Sequence, residues 1–173
     1  MTKPLIIALL GVCAAALFSL LTILPAQADA SRVAFATDEV AGTIIVRTTE
    51  RRLYLVLGDG TALRYPVGVG RPGRQWQGDT AIDGMFLKPN WVPPAAVRAD
   101  NPALPAVIAG GSPSNPMGAA ALVLSGGVYA IHGTNAPDSV GGFVSYGCIR
   151  MLNSDITDLF SRVKVGTRVA VTH

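Results

Sequence analysis

Arg52-Leu53-Tyr54-Leu55-Val56-Leu57-Gly58-Asp59-Gly60-Thr61-Ala62-Leu63-Arg64-Tyr65-Pro66-Val67-Gly68-Val69 reads as two strands folded about a tight turn. Residues 52–57 and 63–69 carry apolar, aromatic and β-branched side chains suited to a pleated, half-buried surface, and Gly58-Asp59-Gly60 supplies the backbone freedom of a hairpin turn. Just upstream, Thr43-Ile44-Ile45-Val46-Arg47-Thr48 is a β-branched run. Downstream, residues 80–87, 120–124, 128–132 and 168–171 have the same character, with Ser125-Gly126-Gly127 as a further turn. A single short helix is expected over residues 155–163, capped by Asn153-Ser154, with Lys164 late and Gly166 as its stop. Short strands separated by frequent turns, with one helix, predict a mostly β domain of sandwich or barrel-like type.

Two segments break this rhythm. Residues 70–78 form a Gly/Arg-rich loop. Residues 89–116 carry proline at 89, 93, 94, 102, 105, 113 and 116, with Trp91 inside. Proline removes a backbone donor and fixes φ, so neither a central strand nor a regular helix is expected there. Long excursions of this kind are functional or solvated. Both readings stand: an ordered wall of a groove, or a surface loop. Trp76 and Trp91 read as packing or groove-wall residues, and the arginines at 51, 52, 71 and 74 as solvated faces.

The 173-residue chain opens with Lys3, an apolar run over residues 5–24 and Ala26-Gln27-Ala28. Positive charge, apolar stretch and an A-x-A site in that order are the parts of a secretory signal. Residues 1–28 are therefore expected to be a cleaved signal peptide and the mature protein to be exported to the cell envelope or periplasm. The length of the run leaves an uncleaved membrane anchor as the alternative. Residues 29–42 read as a lead-in segment and 43–173 as one domain, long enough to enclose a real core. The net charge of +3, without a basic block, argues against a nucleic-acid partner.

Of the two cysteines, Cys13 lies in the leader, so the mature domain holds Cys148 alone. Structural cysteines of exported proteins usually come in pairs, and an unpaired one is inert and buried, paired between chains, or kept for reactivity. The two histidines are His132 and the terminal His173. His132 ends a strand and runs into Gly133-Thr134-Asn135. Cys148 follows in Ser145-Tyr146-Gly147-Cys148-Ile149-Arg150, after a loop containing Pro137, Gly141 and Gly142. A free thiol has a pKa of about 8.5, so it needs help to act as a nucleophile near neutrality. A neighbouring imidazole can take its proton or pair with the thiolate as imidazolium. The imidazole itself needs an orienting hydrogen bond, for which the Gly133 carbonyl and Asp138 are the candidates. The N–H groups of Gly147 and Cys148 are candidate oxyanion donors, one such donor typically contributing about 3–4 kcal/mol. One cysteine and one histidine are too few for a metal site, and no cofactor is expected.

Ile131-His132-Gly133-Thr134-Asn135 followed by Ser145-Tyr146-Gly147-Cys148-Ile149-Arg150-Met151 resembles the L,D-transpeptidase catalytic domain (YkuD family), whose pattern is H-G-T/S, a gap, then S-x-G-C-I/V-R. The resemblance extends to Tyr65-Pro66-Val67-Gly68-Val69-Gly70, to Pro89 with Trp91, and to Asn115-Pro116-Met117-Gly118, and covers residues 43–171. It implies that Cys148 attacks a peptidoglycan stem peptide next to a D-alanine, which leaves as a thioester forms. An amine of a second stem peptide or an envelope-protein lysine then takes the acyl group, whereas water would give carboxypeptidase activity. His132 matches the general base and Gly133 its orienter. Ser145, Tyr146, Arg150, Thr134 and Asn135 fall where substrate contacts are expected, with Arg150 either pairing with a substrate carboxylate or bracing the loop. Carbapenem-type β-lactams are expected to acylate Cys148. Tyr146 departs from the family, where histidine is common at that position. The rival readings are a papain-like or sortase-like thiol enzyme and a non-catalytic wall-binding module. The His-before-Cys order speaks against the papain type. The closeness of Arg150 to Cys148 speaks against the sortase type.

Overall fold

The computed structural model describes residues 30–173; the expected signal peptide, residues 1–28, lies outside the described residues. Eleven strands and two α-helices follow in chain order. They are β1 (Ser31–Ala34), β2 (Ile44–Arg47), β3 (Arg52–Val56), β4 (Thr61–Pro66), β5 (Val69–Gly70), β6 (Gly78–Leu87), α1 (Ala95–Asp100), β7 (Ala120–Leu124), β8 (Ala130–His132), β9 (Phe143–Ser145), β10 (Ile149–Arg150), α2 (Asn153–Arg162) and β11 (Arg168–Thr172). The mostly β architecture is the one the strand pattern predicts.

Nine strands are hydrogen-bonded in the order β1-β4-β3-β2-β11-β6-β7-β8-β10, and β5 pairs with β9 in a separate ribbon. The long β6 joins two halves. Its first residues pair with β11, its later ones with β7, and the register shifts between Ile82 and Gly84. A bulge of this kind bends a strand and increases its twist. The two halves thereby share one core, in which Ile44, Leu53 and Tyr65 from one half are buried with Ile82, Leu122 and Ile131 from the other. Helix α2 closes this core with its inward face, where Ile156 and Leu159 are fully buried. Each such side chain contributes roughly 1.5–3 kcal/mol by leaving water.

Three features of the structure extend or correct the sequence reading. First, residues of the lead-in segment pair with the sheet. β1 pairs antiparallel with β4, and Phe35 stacks on Tyr54 with ring centroids 4.5 Å apart. Phe35, Ile45, Tyr54, Val56 and Ala62 make a second small core on the outer face of β2–β4, because these central strands carry apolar side chains on both faces. Second, the proline-rich stretch does contain a helix. α1 has only six residues, with Pro94 at its N-cap, where the missing N–H costs nothing, and it ends before Pro102. The stretch is ordered by its own bonds: Trp91 and Ile108 exchange backbone hydrogen bonds at 2.8 Å, and Asn115 Nδ2 donates to the carbonyls of Pro89 and Ala109 at 2.9 and 3.0 Å.

Third, Asn153-Ser154 does not cap α2. The N-cap is Leu152, with no side-chain bond. Asn153 turns outward from the helix and works as a clamp. Its Oδ1 accepts the N–H groups of Ala119 at 2.9 Å and Thr134 at 3.1 Å, and its Nδ2 donates to the Thr134 carbonyl at 2.9 Å. The approach demands glycine at 133, since a Cβ there would lie 2.3 Å from Asn153 Oδ1. Asn153 thus ties α2 to the chain just after His132. Three bonds at about 1 kcal/mol each set the scale. Asn153→Ala is expected to lower the unfolding free energy by about 2 kcal/mol, read as a lower denaturant midpoint at unchanged slope. A midpoint within error of the wild type would remove the clamp from the account.

Candidate active site

The pairing of β8 with β10 builds the site. The two short strands are parallel, with Ile149 opposite Ile131 and Arg150 opposite His132. Ile131 and Ile149 point into the core, so alternation sends His132 and Arg150 to the other face. Cys148, one residue before β10, returns to the same face as Arg150. His132, Cys148 and Arg150 accordingly line one narrow cavity of about 80 Å³. Ser145 and Tyr146 line it from the loop before the cysteine, and Trp91, Pro94, Val97, Pro116 and Met117 from residues 89–117. The proline-rich excursion is a wall of this cleft rather than a solvated loop.

His132 is buried, and its Nδ1 lies 2.6 Å from the Gly133 carbonyl oxygen. A carbonyl only accepts, so Nδ1 carries the proton and Nε2 presents a lone pair. Between the two candidate orienters the geometry selects Gly133; Asp138 lies in the 3-10 turn Pro137–Ser139. Burial pushes the His132 pKa down to about 4, against the carbonyls of Gly133 and Pro116, which favour the cation, and together with the nearby charge of Arg150, which disfavours it. Burial pushes the Cys148 thiol up, opposed by the Ala130 backbone and by Arg150. Both shifts favour a neutral thiol beside a neutral imidazole over a thiolate–imidazolium pair. Of the two ways an imidazole can activate a thiol, the resting site therefore fits general-base removal of the proton.

The loop before the cysteine is held by side chains. Ser145 Oγ accepts the Gly147 N–H at 3.0 Å and donates to the Cys148 carbonyl at 2.6 Å. Ser145 thus shapes the loop, and the Gly147 N–H, read from sequence as an oxyanion donor, is already engaged. Trp76 donates its indole N–H to the Gly147 carbonyl at 2.9 Å and stacks on Tyr129 at 4.8 Å. Gly147 has φ +125°, and a Cβ there would stand 2.3 Å from the Tyr129 ring, so conformation and space both require glycine. The brace formed by Trp76 and Tyr129 was missed in the sequence; its one signal was a tryptophan in a glycine-rich loop.

Arg150 donates from Nη1 to Ser139 Oγ at 3.1 Å, which braces the 137–139 turn, while its buried Nε has no hydrogen-bond partner. Thr134 and Asn135 do not line the cleft of Cys148. They border a separate, larger hollow of about 290 Å³ with Lys88 and Asn153. Thr134 is buried and accepts the Ala136 N–H at 3.0 Å, and Asn135 donates to the Pro113 carbonyl at 3.4 Å. His173 lies far along the chain from this site, bonded to Thr48 at 3.0 Å. Among the described residues no cluster of three or more His, Cys, Asp or Glu side chains could hold a metal ion.

A thiol that is alone among the described residues and an oriented imidazole, on one face of a bent β-sheet under a proline-rich wall, define a candidate thiol-based active site. The profile of the L,D-transpeptidase catalytic domain, YkuD, matches residues 41–171, and the chain belongs to that family. It is 42% identical over 141 residues to the probable L,D-transpeptidase YbiS of Escherichia coli strain K12, covering 76% of this chain and 45% of that one. It is 54% identical over 135 residues to the putative L,D-transpeptidase YkuD of Bacillus licheniformis, covering 78% of this chain and 68% of that one. The chain thus spans about half the length of the E. coli relative. The fold matches L,D-transpeptidase 3 of Mycobacterium tuberculosis in complex with a faropenem-derived adduct, with TM-score 0.60 and 15% identity, covering 77% of this chain and 60% of that one. Membership of this family displaces the papain-like and sortase-like readings.

The protonation states generate a prediction. His132 is the free base at every pH above about 4, and Cys148 stays protonated beyond the ordinary thiol range, so the competent pair persists between these limits. Single-turnover acylation of Cys148 is expected to be flat from about pH 5 to 8 and to fall as the pH drops through about 4, where His132 takes up a proton. A fall centred near 6.5, the ordinary value for histidine, would mean a solvated imidazole instead.

Proposed function

We propose that the chain is a peptidoglycan L,D-transpeptidase that works through a cysteinyl acyl-enzyme in the cell envelope. The observation that carries this reading is the shared cleft of Cys148 and His132, with the imidazole turned by Gly133 so that Nε2 is the free base. In the first step His132 Nε2 takes the thiol proton as Cys148 Sγ attacks the carbonyl between the diamino acid and D-alanine of a stem peptide. The negative charge moves to the carbonyl oxygen. With the Gly147 N–H engaged by Ser145, the Cys148 N–H is the backbone donor assigned to that oxygen. The tetrahedral intermediate collapses, the C–N bond breaks, and D-alanine leaves with the proton held by His132. An amine then attacks the thioester, gives its proton to His132 and releases the thiol. The acceptor is a stem peptide, giving a 3-3 cross-link, or an envelope-protein lysine; water in its place gives a carboxypeptidase. Export to the periplasm is supported by the order of charge, apolar run and A-x-A site in residues 1–28. Acylation by carbapenem-type β-lactams follows from the same chemistry, and a fold relative carries a faropenem-derived adduct.

The test uses a stem tetrapeptide and mass spectrometry. Wild type is expected to release D-alanine and to gain the mass of an acyl group, or of a carbapenem. Cys148→Ala is expected to do neither while keeping its thermal midpoint. His132→Gln is expected to slow acylation by about 10²–10⁴-fold, the range for general acid–base catalysis. Equal product from wild type and Cys148→Ala would overturn the reading, and absence of product from both would point to a non-catalytic wall-binding module.

A further inference from the structure

Beside the cleft lies a cluster that the mechanism above does not use. Asp100, the last residue of α1, sets its Oδ2 against two donors from elsewhere in the chain. Arg71 Nη2 donates to it at 2.8 Å, and the Tyr146 hydroxyl donates to the same oxygen. The Arg71 guanidinium lies 4.0 Å from the centre of the Tyr146 ring, and that of Arg74 lies 5.9 Å from it. Arg71 is fixed to the catalytic loop through its N–H, which donates to the Ser145 carbonyl at 2.9 Å. Arg71 and Arg74, read from sequence as a solvated face, therefore flank the residue that departs from the family pattern. Arg71 and the Tyr146 phenol thus bind one carboxylate, with Arg74 close by, and Tyr146 stands two residues from the nucleophile.

The carboxylate belongs to the wall that covers the cleft. A cavity of about 80 Å³ is well below the roughly 300–1,000 Å³ of ordinary ligand sites. Pro94 and Val97 line this small cavity together with the partly exposed Cys148. Asp100 ends α1, so any displacement of that helix to widen the cleft would carry the carboxylate with it. Arg71, Arg74 and the Tyr146 hydroxyl would then be left beside the cleft with uncompensated positive charge. Little opposes the exchange, because Arg71 and Asp100 keep 40% and 52% of their side-chain surface in water, and ion pairs that exposed contribute about 0–1 kcal/mol. Guanidinium and phenol donors are suited to a carboxylate.

We propose that Arg71, Arg74 and Tyr146 form a recognition corner for a carboxylate of the donor peptide, occupied by the flap's own Asp100 while the cleft is closed. The inference rests on the transpeptidase reading and names a specificity element for it. Asp100 is a competitor for the corner, and Arg71 is part of the corner, so their removal has opposite effects. That opposition separates the proposal from a simple structural brace, in which both substitutions would act alike.

The experiment compares a tetrapeptide donor with its carboxylates free and the same peptide fully amidated, in wild type, Arg71→Gln and Asp100→Asn. Wild type is expected to favour the free acid in KM by about five- to tenfold, the scale of one charge-assisted hydrogen bond at an exposed site. Arg71→Gln is expected to bring that ratio close to one. Asp100→Asn is expected to lower KM for the free acid by about threefold. An unchanged ratio in Arg71→Gln, or shifts of the same sign in both variants, would overturn the corner. Should wild type release no D-alanine from either peptide, the transpeptidase reading fails by itself. The corner is then judged by calorimetry of both peptides on Cys148→Ala, with and without Arg71→Gln: loss of a free-acid preference on Arg71→Gln supports it, and equal affinities overturn it.

Discussion

The hydrogen bond from the Met151 N–H to the His132 carbonyl, 2.8 Å long, belongs to the shortest parallel pairing in the sheet, and the chemistry depends on it. β10 has two residues and β8 has three. Their register puts Arg150 beside His132 and brings the residue before β10 to the same face. A slip of one residue would turn the thiol toward the core and an isoleucine toward the cleft, since successive side chains point to opposite faces. Ile131 and Ile149 guard against that slip, because both are fully buried and either would be expelled into water by it.

The same burial sets the electrostatics. A site dry enough to push His132 down to about 4 and the thiol up is one in which a resting ion pair is unfavourable. Arg150 lies on the same face as Cys148 and His132 and lends positive charge to Cys148. The backbone around the nucleophile is stiffened by Ser145 from one side and by the stacked Trp76 and Tyr129 from the other. Such support fixes a reacting atom more closely than a free loop does.

Above the site, residues 89–116 form a flap that owes its order to itself. Trp91 and Ile108 bridge its arms, and Asn115 binds carbonyls on both. α1, at six residues, is far shorter than a helix that would stand alone in water. Its contact with Arg71 and Tyr146 is polar and exposed, whereas the base of the flap is tied to β8 through Asn153 and the chain around Gly118 and Gly133. The base of this wall is thus held more strongly than its tip.

Sequence by itself determined the class of fold and singled out the thiol and the imidazole that share the cleft. Turn glycines such as those at 58 and 60 and β-branched runs such as Ile44-Ile45-Val46 act locally, and the His-Gly and Ser-Tyr-Gly-Cys blocks carry their chemistry in the residue types themselves. Tertiary structure decided what depends on partners distant along the chain. Asn153 looked like a helix cap because caps are read from their neighbours, yet its bonds go to residues 119 and 134. Thr134 and Asn135 adjoin His132 in sequence but border another hollow, since the chain turns away at the strand end. The Gly147 N–H looked available until Ser145 was seen to hold it. Arg71 and Asp100, 29 positions apart, meet only because two loops converge on Tyr146. Local patterns fix what each residue can do; the long-range pairing of strands and loops, which leaves no periodic trace in the chain, fixes which of them meet.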